Sequence, residues 1–118
     1  MNETRLTMPR PLAMRLLHEA QIAGGPVAGI VAGRNEPDRY YPGSLADGAA
    51  RADAEGCRPW ACFAYRPGAD EAPSSKDFAD QPELLRITAS LATKGVLQLH
   101  IWRCADGRVE ECPMEIRD

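Results

Sequence analysis

The spacing of apolar residues divides the chain into recognisable segments. From Arg10 to Ala23, Leu12, Leu16, Ala20 and Ala23 fall on one helical face with Leu17 beside them, which predicts a helix. Pro11 suits its first turn and Gly24-Gly25 its end. A short extended piece, Arg5 to Met8, precedes it and is closed by Pro9. Val27 to Ala32 is unbroken, small and β-branched, the pattern of a strand covered on both faces. Gly29 and Gly33 within and after it signal a close backbone approach or a bulge. After the turn Asn35–Asp38, Arg39 to Tyr41 is a short strand. Residues 42–58 are rich in Ala, Gly and Asp without a strong period, with room for a short helix between Ser44 and Glu55. Trp60 to Tyr65 is again an apolar strand. Residues 66–76 form a Pro-bounded polar loop, and Ser74 or Ser75 is placed to cap a short helix at Asp77–Asp80, limited by Pro82. Three strands follow: Leu84–Leu91, Val96–Cys104 and Arg108–Ile116, the last two joined by the hairpin signal Asp106-Gly107. This order predicts an α/β (α+β) domain, with one long N-terminal helix and a short second helix on a mixed, largely antiparallel sheet.

Length and composition narrow the class. A chain of 118 residues suits a single domain over 1–118, with ordinary apolar (44%) and charged (26%) fractions. The net charge is −3 and the Lys and Arg residues are scattered, so no nucleic-acid footprint is expected. No apolar run reaches the ~18 residues of a membrane span, and the first residues lead into no secretory apolar core, so a cytoplasmic protein is expected. The four cysteines, Cys57, Cys62, Cys104 and Cys112, lack zinc-ribbon spacing. If Asp106-Gly107 is the turn, Cys104 faces Val109 and Cys112 faces Ile101. The two thiols then sit about 10 Å apart along the strands, too far for a disulfide. The expectation is reduced, structural cysteines.

One stretch carries candidate chemistry. Ser74 stands eight residues after Arg66 and Asp77 three after Ser74, with Pro67 and Pro73 flanking. Upstream lie the helical Leu16-Leu17-His18-Glu19-Ala20, the strand with Gly29 and Gly33, and Tyr40-Tyr41-Pro42. Downstream is the hairpin from Ile101-Trp102-Arg103 to Glu110-Glu111. In this order the chain resembles the JAMM/MPN metalloproteases of the prokaryotic JAB type, whose signature is His-x-His-x7-Ser-x2-Asp. The resemblance implies the MPN-like (cytidine-deaminase-like) fold. In active members two histidines and the aspartate hold zinc, a strand glutamate is the general base, and the serine orients the water. Here Asp77 and Ser74 remain, Ala64 and Arg66 hold the histidine positions, and the glutamate position falls at or next to Pro26.

Ala64 has no donor atom, and Arg66 is a fixed cation that repels Zn2+. The zinc site is therefore expected to be lost, leaving Ala64, Arg66, Ser74 and Asp77 as a vestigial site with no cofactor. Arg66 either pairs with Asp77 in place of the ion or points to solvent, and Ser74 is either a helix cap or a remnant of function. No G-x-S-x-G and no phosphate loop is present. His18 falls on the outward side of its helix, and His100 sits mid-strand beside Trp102. By resemblance, the expected role is a catalytically inactive scaffold or protein-binding domain. Its partner is a ubiquitin-like, β-grasp sulfur carrier or the chain itself, with Trp60–Tyr65 taking an extended tail by strand addition. Two alternatives stand beside it. One is a metal-dependent peptidase with relocated ligands, Asp77 plus Cys62 or a histidine. The other is a small-anion pocket lined by Tyr65, Arg66 and Ser74.

Overall fold

The computed structural model describes residues 6–22, 27–65, 84–93, 96–105 and 107–117. In chain order these form β1 (Leu6–Pro9), α1 (Arg10–Ile22), β2 (Val27–Gly33), β3 (Arg39–Pro42), α2 (Leu45–Ala54), β4 (Arg58–Tyr65), β5 (Leu85–Thr93), β6 (Val96–Ala105), β7 (Arg108–Cys112) and β8 (Met114–Arg117). Six strands make one sheet in the order β3-β2-β4-β5-β6-β7. Only the β4–β5 neighbours in it run parallel. The mixed α+β class expected from the pattern is the class found.

Alternation along the strands gives the sheet two buried faces. On one, Val31, Phe63, Ile87 and Ile101 meet Leu12, Ala13, Leu16 and Ala20 of α1. On the other, Ile30, Ala32 and Cys62 meet Tyr41, Ala52, Cys57 and Leu84, under α2. The helices therefore flank the sheet, and β2 is covered on both sides from Gly29 to Gly33, much as its unbroken apolar run implies, while Ala28 is exposed. Phe63 is fully buried and meets Tyr40 edge-on, ring centres 5.7 Å apart.

α2 is built from small residues because it lies close to the sheet. A β-carbon on Gly48 would come within 2.8 Å of Ile30 Cγ1. Ser44 caps the helix, its hydroxyl accepting from the Asp47 amide at 3.1 Å. At the other end the Tyr41 hydroxyl donates to Glu55 Oε1 at 2.6 Å, and Arg39 donates to the same oxygen at 2.9 Å. These contacts tie the end of α2 to β3. The Tyr41 hydrogen bond, more than Arg39, holds the Glu55 carboxyl below its ordinary range.

Burial pushes the Tyr41 phenol up to about 12, with the Glu55 hydrogen bond adding to it, and burial does the same to Tyr40. The unfolded phenols titrate near 10.0, so the native state holds these protons more tightly. The stability they contribute is whole below pH 10 and drains away as pH rises through about 12. An alkaline absorbance titration of the native protein is expected to show two of the three tyrosines ionising near 12. Ionisation of Tyr40 and Tyr41 near 10 would contradict the packing of β3.

The C-terminal hairpin has the expected register: Cys104 lies opposite Val109 and Cys112 opposite Ile101, and none of the four cysteines is joined in a disulfide. The expected single strand Arg108–Ile116, however, is two. It breaks at Pro113, which has no N–H for a ladder, and β8 leaves the sheet to pair in parallel with β1. A second correction concerns β4, which is central rather than exposed. β2 occupies one of its edges from Tyr65 to Arg58, and β5 the other from Ala61 to Ala64. The core of Trp60–Tyr65, Ala61–Ala64, therefore cannot receive a tail by strand addition, because both of its edges are already paired.

A bulge lies where β4 passes Pro59. Val31 pairs with Ala61 but Ala32 with Pro59, leaving Trp60 unmatched. The Trp60 indole nitrogen donates to the Gly33 carbonyl at 3.2 Å, and Arg58 stacks on its ring at 4.0 Å. Gly33 also meets the expected close approach, as the turn that follows it folds back on the strand.

Candidate functional site

The only expected vestigial-site residue among those described is Ala64. Arg66, Ser74, Asp77, the proposed Arg66–Asp77 pair and the short helix Asp77–Asp80 lie outside the described residues, as does Pro26. Ala64, one residue before the end of β4, lies on the face that Cys62 shares and that α2 partly covers. On that face one row of side chains runs across four strands. Ala28 of β2 pairs with Ala64, Ala64 with Thr88 of β5, and Thr88 with His100 of β6. The next row is Tyr41, Ile30, Cys62, Arg86, Trp102 and Glu111.

The residue set directly beside Ala64 is thus Ala28, two positions beyond Pro26. Two methyl groups face one another where β2 and β4 approach this end of the sheet. On the other side of Ala64, Thr88 is buried, and its hydroxyl accepts from the Trp102 indole at 2.9 Å. His100 donates through Nδ1 to Glu111 at 2.9 Å and leans on Trp102, ring centres 6.3 Å apart. Local patterning could not find Ala28, Thr88 or Glu111 as neighbours of this site, because only the register between distant strands brings them there.

This donor set does not fit a zinc ion. Ala28 and Ala64 offer nothing, Arg86 is a cation, and Thr88 supplies a neutral hydroxyl already engaged. Among the described residues no group of three or more His, Cys, Asp and Glu side chains is placed to hold a metal. The ligands considered for a relocated site are poorly disposed. Cys62 is buried, and that burial pushes its thiol up, away from the thiolate a metal needs. His18 is exposed on α1, whose buried face packs on the opposite side of the sheet from Ala64. His100 shares the right face but sits two strands away, about 10 Å at ordinary strand spacing. Tyr65, expected to line an anion pocket with Arg66 and Ser74, packs instead with the α1 cluster, on the opposite face from Ala64.

No protein-family model matches the chain, and no curated protein matches its sequence. Solved structures do match its shape. A protein from Desulfitobacterium hafniense superposes with a TM-score of 0.71 at 18% identity, over 96% of this chain and 93% of its own. One from Salinibacter ruber gives 0.66 at 16%, over 96% and 92%. A JAB1/MPN domain protein from Archaeoglobus fulgidus gives 0.60 at 11%, over 98% of this chain and all of its own (100%). The fold is therefore MPN-like. Among the described residues no helix is long and apolar enough to cross a membrane.

Proposed function

We propose that this chain is an MPN-like domain that has given up zinc hydrolysis and works, in the cytoplasm, by binding a protein. The observation that carries this reading is the pairing of Ala28 with Ala64. In the JAMM family a strand carboxylate and a histidine face the same ion. Here the resemblance puts the carboxylate position at or next to Pro26, two residues before Ala28. Ala28 and Ala64 meet as methyls, and the next histidine position holds Arg66. Without an ion nothing lowers the pKa of a water, and without a carboxylate nothing takes its proton. What remains is a sheet face fit for recognition rather than turnover.

By the same resemblance the partner is a small β-grasp carrier of the ubiquitin-like sulfur-transfer type. Its tail would lie across the Ala64 face rather than along β4, whose edges are filled. A metal-dependent hydrolase with relocated ligands is disfavoured by the burial of Cys62, which pushes its thiol up, and by the placement of both histidines away from Ala64.

The test is a titration of the protein with such carriers bearing an intact extended tail, followed by mass spectrometry of the carrier. Saturable binding with the tail unchanged is expected. Trimming of the tail would overturn the loss of catalysis, and no binding to any carrier would overturn the choice of partner.

A further inference from the structure

We draw no further inference here: the strongest candidate, the side-chain cluster of Thr88, His100, Trp102 and Glu111 across β5, β6 and β7, belongs to the Ala64 face already described.

Discussion

Phe63→Ala is expected to cost about 4 kcal/mol, the largest loss from any single truncation in the described core. Phe63 is the largest of the fully buried side chains. It lies mid-strand in β4, packs with the α1 side chains, and takes the edge of Tyr40 at 5.7 Å. Its removal forfeits both the transfer energy of the ring and the contacts of everything around the void. Relaxation is restricted, because β4 is held on both edges by β2 and β5. In a domain of this size the melting temperature should fall by roughly 15 °C. In urea the midpoint should drop without a change in slope. Phe63→Leu, which keeps most of the volume, should lose less than about 1.5 kcal/mol. A loss below 1 kcal/mol for the alanine variant would mean that β4 is not clamped between α1 and its neighbours, and the placement of Ala64 would fall with it.

Gly33→Ala ranks next, and for the opposite reason. A β-carbon there would lie 1.7 Å from the Glu36 carbonyl oxygen and 2.8 Å from an Asp38 oxygen. The first is backbone and cannot rotate aside. The turn is closed by the Asp38 amide donating to Ala32 at 3.2 Å, and Trp60 holds the Gly33 carbonyl from the other side. Adding one methyl therefore moves the whole turn between β2 and β3, at an expected cost of about 3 kcal/mol, the upper range for overpacking. The indole hydrogen bond should be disturbed as well, so Trp60 fluorescence is expected to shift in the folded variant. A variant as stable as the wild type would show that the turn does not press on the strand.

Much of this architecture is legible in local sequence. The Asp106-Gly107 step fixes the hairpin register, so the pairing of Cys104 with Val109 and of Cys112 with Ile101 follows by counting. The helical period of Leu12, Leu16 and Ala20 marks the buried side of α1 and leaves His18 outside. α2 is faint because close packing demands small residues: Gly48 and Ala52 do the work that larger apolar residues would advertise. The β1–β8 pairing joins opposite ends of the chain, and no local pattern encodes a parallel contact of that span. The central position of β4 is likewise a property of the sheet rather than of Trp60–Tyr65, so an apolar strand alone does not license strand addition along it. The candidate site divides in the same way. The expectation of a lost site at Ala64 and Arg66 comes from the spacing of the motif alone. That Ala28 is the residue paired with Ala64 needs the β2–β4 register, which includes a bulge that counting cannot anticipate.

The proposed loss of zinc hydrolysis requires that no zinc ion be held at the end of β4. Protein purified without chelator, dialysed against zinc and then against buffer, should be assayed for bound metal by elemental mass spectrometry. Retained zinc far below one ion per chain, unchanged by Asp77→Ala, is the predicted result. One ion per chain, lost on Asp77→Ala, would contradict it.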